Sequence, residues 1–188
     1  MPYSITREIG IDMAHRVPTH GSKCWNLHGH RYKILATAQS STLHEGGVQQ
    51  DMVLDFSFLH SVMMAQIHDF CDHGLTIWKD DPWLPSFFLH PPNNEYFGNT
   101  YKELLEADGY YYVPSDRNHQ QTQLLIVNFI PTAEKLAEFW FKRMTPGVNL
   151  LSNKKAHLSR IEVFETPNCS AVYPAVLSSL PLSTHEGA

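Results

Sequence analysis

Cysteine is scarce in this sequence, and this scarcity limits the cellular compartments in which the protein is expected to work. The three cysteines, Cys24, Cys71 and Cys169, form no Cys-x-x-Cys pair. An odd and widely spaced set predicts reduced thiols and a cytoplasmic location, and it excludes a disulfide-stabilised scaffold. The amino-terminal segment also lacks the basic and apolar stretches of a secretory signal.

Basic clusters and long apolar runs are missing as well. The net charge is −5 and no basic block occurs, so we predict no nucleic-acid partner. No apolar run approaches the roughly 20 residues that a membrane-spanning helix needs, so we predict no membrane partner. With 188 residues and 43 % hydrophobic content, the chain is expected to form a single domain over 1–188.

Histidine, in contrast, is abundant, and three of the 12 histidines lie near one cysteine. His28 and His30 are two residues apart, His15 precedes them, and Cys24 stands four residues before His28. Side chains two apart on a strand share one face, and a strand–turn–strand fold would bring His15 to the same place. Three imidazoles and an open position form a catalytic zinc site, and a thiol nearby would ionise more easily. The spacing alone also allows ordinary surface or core histidines.

A second group with acid–base character is Asp72-His73. It closes an amphipathic segment, and a carboxylate beside an imidazole is a common proton relay. A histidine that satisfies free carbonyls at a helix end is the alternative interpretation.

Hydrophobic periodicity outlines the remaining elements. Ser57 and Thr132 are predicted to cap the two long helices at their amino termini. Residues 16–27 are predicted to form a loop, and the second and third strands to form a hairpin. The predicted strands cover residues 3–11, 28–39, 48–56, 123–129, 157–165 and 171–176. The two predicted long helices cover residues 57–71 and 132–144, and a predicted short helix covers residues 101–107. The tail after Leu180 is polar and is expected to fray.

Four motifs in order resemble the 6-pyruvoyltetrahydropterin synthase / 6-carboxytetrahydropterin synthase family. They are Cys-x-x-x-His-Gly-His at 24–30, Asp-His with Leu at 72–75, Pro-Thr-x-Glu-x-Leu-Ala at 131–137, and Glu-Thr leading to Tyr at 165–173. The resemblance implies an α+β tunnelling fold, in which an antiparallel sheet carries two helices packed on one face. It also implies an oligomeric barrel, expected as a homohexamer of paired trimers.

The resemblance further implies a role for each matching residue. A glutamate at the pterin site would accept two neighbouring N–H groups in a bidentate pair. The implied zinc ligands are His15, His28 and His30, and the implied catalytic groups are Cys24, Asp72 and His73. The implied substrate contacts are Glu165, Thr132 and the backbone of Ala133. Arg16, Lys23, Arg31 or Lys33 could offset the charge of a triphosphate.

The implied substrate is 7,8-dihydroneopterin triphosphate. Three residues separate Cys24 from His28, and this spacing resembles that of the 6-carboxy branch of the family. The resemblance therefore implies release of acetaldehyde and triphosphate and formation of 6-carboxytetrahydropterin, a precursor of queuosine-type deazaguanines. The alternatives are a 6-pyruvoyl enzyme without carbon loss, an iron oxygenase on a cupin-like barrel, and a non-catalytic pterin-binding or scaffold protein.

One stretch departs from the family pattern. Residues 78–122 form an insertion in which five prolines stand among aromatic side chains. This composition is too aromatic for a disordered linker. The insertion is expected to cover the pocket as a lid or to form a subunit contact.

Overall fold

The strands of the described residues form one mixed sheet. The computed structural model describes residues 2–88 and 100–174. Within these ranges the strands are β1 (Tyr3–His15), β2 (His28–Ser40), β3 (Leu75–Trp78), β4 (Tyr110–Val113), β5 (Leu124–Val127), β6 (His157–Thr166) and β7 (Cys169–Tyr173). Their order across the sheet is β4-β5-β3-β1-β2-β6-β7.

Helices lie between the strands. Helix α1 (Phe56–Met63) continues through a π-helical turn (Met64–His68) into a last turn (Asp69–Cys71). Helix α2 (Thr100–Ala107) and helix α3 (Ala133–Leu151) follow. Three-residue or four-residue 3₁₀ turns cover Lys23–Trp25, Leu84–Phe87 and Ser115–Arg117.

The hairpin of β1 and β2 is the long central unit of the sheet. Its antiparallel register runs from Tyr3 opposite Ser40 to His15 opposite His28. Apolar residues alternate along β1, so that Ile9 and Ile11 are buried against the helices. This alternation confirms the predicted strands at 3–11 and 28–39, although β1 extends further, to His15.

The predicted strand over 48–56 is wrong. Both edges of β2 are already paired, one with β1 and the other with β6, so no edge is left for a hairpin partner. Residues 48–55 form a loop instead, and its turns include Asp51 with φ 61°. The predicted Ser57 cap is also wrong, because Asp55 Oδ1 accepts the Ser57 N–H at 2.7 Å and so caps α1.

The expectation of a purely antiparallel sheet is corrected too. Strand β3 is parallel to β1 and to β5. Parallel neighbours need a long crossover between them, and the insertion at 78–122 supplies that crossover between β3 and β5. The insertion also contributes a strand, since β4 pairs antiparallel with β5. Neither β3 nor β4 was predicted from the sequence.

The sheet is buried on one face by helices and, at its β3–β5 end, also on the other face. Helices α1 and α3 share a core with β1, β2 and β6. The opposite face of β3 and β5 packs against insertion residues Leu84, Phe88, Tyr101 and Leu105. Strand β5 is therefore buried on both faces, which explains its continuous run of Leu124, Leu125, Ile126 and Val127.

The second long helix begins as predicted and ends later. Thr132 Oγ1 accepts the Lys135 N–H at 3.4 Å and caps α3. The helix continues past Pro146 to Leu151, where the sequence predicted an end at 144. The short helix predicted over 101–107 is confirmed. The predictions for the tail and for the aromatics and prolines at 91–97 lie outside the described residues.

No helix among residues 2–88 and 100–174 is both long enough and apolar enough to cross a membrane.

Candidate metal centre and active site

Three imidazoles converge at the end of the β1–β2 hairpin. The register pairs His15 with His28 and Met13 with His30, so alternation places all three rings on the helix-covered face. One ligand atom from each histidine lies within 4.8 Å of the other two. The convergence that the sequence predicted is confirmed, and this cluster could hold a metal ion.

Glycine between the two β2 histidines allows the strands to approach closely. A Cβ atom at Gly29 would lie 3.0 Å from the backbone oxygen of Met13, closer than side chains normally pack. The absence of that atom permits the two strands to stay in register where the histidines project.

Hydrogen bonds orient two of the rings. His15 Nδ1 donates to the Pro131 carbonyl at 2.7 Å, and His28 Nδ1 donates to the Asn26 carbonyl at 2.8 Å. When these rings are neutral, each Nε2 therefore keeps its lone pair, as metal-ligating histidines commonly do. Nε2 of His15 is buried and has no hydrogen-bond partner among the described residues.

Burial favours the neutral form of His15 and of His30 by lowering the pKa of each. It lowers the pKa of His15 to about 4, despite the bond to Pro131 that works in the opposite direction. Burial also lowers the pKa of His30, with the nearby His28 acting the same way and Glu165 opposing both. A neutral imidazole is the form that binds a cation.

The loop between the hairpin strands carries the thiol. Cys24 is half-buried on the 3₁₀ turn Lys23–Trp25, and its carbonyl accepts the Val17 N–H at 2.8 Å. This bond closes the loop across its base. The Cys24 side chain thereby borders a cavity of about 240 Å³.

That cavity collects most of the residues that the sequence singled out. Its lining includes His15, Cys24, Thr132, Ala133 and Glu165. Glu165 lies at the end of β6, with Oε1 3.7 Å from His15 Nε2 and 3.3 Å from the Tyr32 hydroxyl, which donates to it. A carboxylate, a thiol and one imidazole of the histidine cluster thus border the same small cavity.

The sequence did not indicate a site role for three residues, one that contacts Glu165 and two that border the cavity. Tyr32 holds Glu165 in place, and burial raises its phenol pKa above the ordinary range. Its position two residues after His30, on the same strand face, was a usable signal. His20 and Cys169 border the cavity, and neither lies in a sequence pattern that would have indicated this position.

Asp72 and His73 form the predicted pair. His73 Nδ1 donates to Asp72 Oδ2 at 2.7 Å, and Asp72 Oδ1 accepts the Asp12 N–H at 2.9 Å. The bond to Asp72 raises the pKa of His73. Partial burial works to raise the Asp72 pKa, yet the Asp12 N–H and His73 hold it below the usual value. His68 Nε2 also lies near the pair, 3.5 Å from Asp72 Oδ2.

Within one chain this pair does not reach the Cys24 cavity. His73 borders a second cavity, of about 550 Å³, together with Asp12, Arg31 and Phe87. The histidine cluster borders both cavities, through His15 on one side and His30 on the other. The thiol and the Asp72–His73 pair are therefore separated by the candidate metal centre.

Most of the basic residues proposed for a triphosphate are already engaged. Arg16 is buried against Asp81, and Arg31 forms a two-bond pair with Asp12. Lys33 lies over the Phe164 ring, 4.1 Å from its centroid. Lys23 is exposed on the turn that carries Cys24, and it stays a candidate.

The family to which these features belong is settled by comparison of sequences. A profile described as 6-pyruvoyl tetrahydropterin synthase matches residues 4–175. The chain belongs to this family. A relative from Haemophilus influenzae, named 6-carboxy-5,6,7,8-tetrahydropterin synthase, is 30 % identical over 171 residues, covering 91 % of this chain and 98 % of the relative. A relative of the same name from Aquifex aeolicus is 28 % identical and covers 92 % and 98 %.

Solved structures show that the fold is that of the family. An uncharacterised protein from Wolinella succinogenes superposes with a TM-score of 0.70 at 24 % identity, covering 92 % of this chain and 97 % of the other. The 6-pyruvoyl tetrahydropterin synthase of Plasmodium vivax superposes with a TM-score of 0.57 at 14 % identity, covering 92 % and 96 %. The chain therefore has the tunnelling fold, and the alternative of a cupin-like barrel is wrong.

Proposed function

We propose that this chain is a 6-carboxy-5,6,7,8-tetrahydropterin synthase. It converts 7,8-dihydroneopterin triphosphate and water to 6-carboxytetrahydropterin, acetaldehyde and triphosphate, as a precursor step for queuosine-type deazaguanines. The observation that carries this proposal is the shared cavity of His15, Cys24 and Glu165, in a chain whose relatives bear this enzyme's name.

The residues of the histidine cluster fit a zinc ion. His15, His28 and His30 offer three imidazole nitrogens, and three protein ligands with one open position are the usual donor set of a catalytic zinc. The buried, unbonded Nε2 of His15 supports this assignment, because a polar atom left without a partner is costly. When bound, zinc supplies Lewis acidity that makes the hydroxyls and the adjacent C–H bonds of the substrate side chain easier to deprotonate.

Glu165 and Cys24 then have separate tasks. The Glu165 carboxylate accepts two N–H groups of the pterin ring, and the Tyr32 hydroxyl, which donates to Oε1, holds it in orientation. Thr132 and the Ala133 backbone border the ring. Cys24, as thiolate, takes a proton from the side chain of the substrate.

The Asp72–His73 pair acts as the second proton carrier. Asp72 holds His73 in the tautomer with a proton on Nδ1, leaving Nε2 to exchange a proton with substrate. Because the pair borders a different cavity from Cys24 in one chain, we propose that copies of the chain assemble so that one contributes the pair to its neighbour's site. A homohexamer of two trimers is the expected assembly. A cytoplasmic location agrees with a thiol that must stay reduced.

Product analysis tests this function. Purified protein loaded with zinc is incubated with 7,8-dihydroneopterin triphosphate, and products are identified by mass while acetaldehyde is assayed with alcohol dehydrogenase. The proposal expects acetaldehyde and triphosphate in equal amounts. Triphosphate without acetaldehyde would instead identify a 6-pyruvoyl enzyme, and binding of the pterin with neither product would identify a non-catalytic pterin-binding protein.

Mixing two inactive variants tests the shared site. Cys24→Ser and His73→Ala are each expected to be inactive, and light scattering is expected to give the mass of a hexamer for both. Co-refolded mixtures would regain activity if neighbouring copies supply Cys24 and His73. A mixture that stays inactive, while forming mixed hexamers, would contradict the assembly proposal.

A further inference from the structure

A buried cation lies beside the candidate metal centre. Arg16 follows the ligand candidate His15 in the chain and has no exposed surface. Its Nε is 3.1 Å from Asp81 Oδ2, and its guanidinium carbon is 4.9 Å from the Trp25 ring centroid and 4.1 Å from that of Trp83. Two tryptophans and one carboxylate thus enclose the charge, and Asp81 and Trp83 both belong to the insertion.

Each member of this cluster depends on the others. A buried guanidinium is stable only when a carboxylate neutralises it, and aromatic faces add an attraction that strengthens as water is excluded. The tryptophans remain 46 % and 42 % exposed, so they close the guanidinium off from solvent with their inner faces. Asp81 is itself held, because its Oδ1 accepts the Trp83 N–H at 2.8 Å.

The cluster connects the insertion to both ends of the loop that carries the thiol. Arg16 stands at the start of that loop, directly before Val17, whose N–H bonds to the Cys24 carbonyl at 2.8 Å. Trp25 stands at its end, directly after Cys24. A displacement of the guanidinium would therefore move the base of the loop and release the ring that flanks the thiol.

We propose that Asp81 and Trp83 are positioning residues that hold the Cys24 loop through Arg16. This inference depends on the proposed catalytic role of Cys24. It gives the insertion a task in the reaction beyond the lid or subunit contact predicted from the sequence. Through these two residues the insertion fixes where the thiol stands relative to His15.

Limited trypsin digestion measures directly how often the Cys24 loop opens, because the cleavage site Lys23 lies on the same turn as Cys24. Cleavage after Lys23 requires the loop to open locally. Asp81→Asn leaves the buried Arg16 charge without its counter-ion, so cleavage after Lys23 should become at least roughly tenfold faster. The matched control is Asp80→Asn, which removes the neighbouring carboxylate. Asp80 is exposed and pairs with exposed Lys79, so this variant should change the rate less than about twofold.

Trp83 provides a second pair of variants that does not disturb the buried charge pair. Trp83→Leu removes the aromatic face, and Trp83→Phe keeps one, so only the first should speed cleavage after Lys23. Both Asp81→Asn and Trp83→Leu should lower kcat at least fivefold with KM changed less than twofold, since Glu165 is untouched. Circular dichroism at the assay temperature checks that each variant is fully folded.

The outcomes separate the two proposals. Faster cleavage confined to the two trypsin sites of the Cys24 loop, after Arg16 and after Lys23, with rescue by Trp83→Phe, supports the positioning role. Unchanged cleavage in Asp81→Asn and Trp83→Leu, or equal acceleration at every trypsin site, would overturn it. If wild-type protein makes no pterin product but cleavage still responds, the proposed function fails while the hold on the loop stands.

Discussion

Substituting Gly29 with alanine should weaken metal binding through one added methyl group. Gly29 separates His28 from His30, and its Cβ would lie 3.0 Å from the Met13 backbone oxygen and 3.5 Å from the Ala14 Cα. Neither neighbour is the end of a flexible side chain. The two strands must therefore move apart at the point where they present the histidines.

The strand displacement that Gly29→Ala requires is large compared with the variation in ligand distance that a metal site tolerates. Relief of a 3.0 Å contact to an ordinary separation of roughly 3.4 Å needs a movement of about 0.4 Å, whereas ligand distances hold to within about 0.2 Å. Loss of comparable support around a zinc site weakens affinity by about 10-fold to 100-fold. We expect a loss in that range for Gly29→Ala.

The assay is competition for zinc against a chromophoric chelator at pH 7.5, on protein first stripped of metal. Gly10→Ala is the matched control, because it lies in the same hairpin but its added Cβ would meet its nearest neighbour at 3.7 Å. That variant should bind zinc within about twofold of wild type. Equal zinc affinities for Gly29→Ala and Gly10→Ala would refute the reasoning.

Three further predictions concern charge at the site. Glu165→Gln removes one of the two acceptors for the pterin and should raise KM by about 100-fold. The control Glu162→Gln, on the same strand, should leave KM unchanged. Equal effects of the two variants on KM would contradict the assignment of Glu165 to the pterin. Asp72→Asn should return the His73 pKa toward its ordinary value, measured by NMR titration, and an unchanged pKa would show that the pair is not coupled. Burial lowers the pKa of His15 from 6.5 to about 4. Between these two pH values His15 is protonated in the unfolded chain and neutral in the folded chain. Metal-free protein should then lose up to about 3 kcal/mol of stability as the pH falls from 7 to 4, and denaturant titrations should show a smaller loss for His15→Gln.

Local periodicity was sufficient to predict elements in which one face is buried and the other is exposed along the whole element. Alternation along 28–39 predicted that His28 and His30 share a face, and the hairpin register then brought His15 to them. The Thr132 cap was predictable because capping depends on a side chain and a backbone N–H a few residues apart. These features are set within a strand, a turn or a single helix end.

Other features depend on which edges and faces the rest of the chain occupies. Residues 48–56 have a strand-like composition, yet β1 and β6 take both edges of β2, so the stretch forms a loop. Strand β3 is short and appears only because β1 and β5 flank it.

The sequence by itself determined the chemistry: three histidines on one hairpin end, a thiol in its loop, and an acid–imidazole pair after the first helix. Only the tertiary structure decided that His73 and Cys24 border different cavities and that Arg16 is buried against Asp81 rather than free for a phosphate. The reason is that ligand spacing is a local property of a strand. Burial of a charge depends on segments far apart in the chain, and here Asp81 lies 65 residues beyond Arg16.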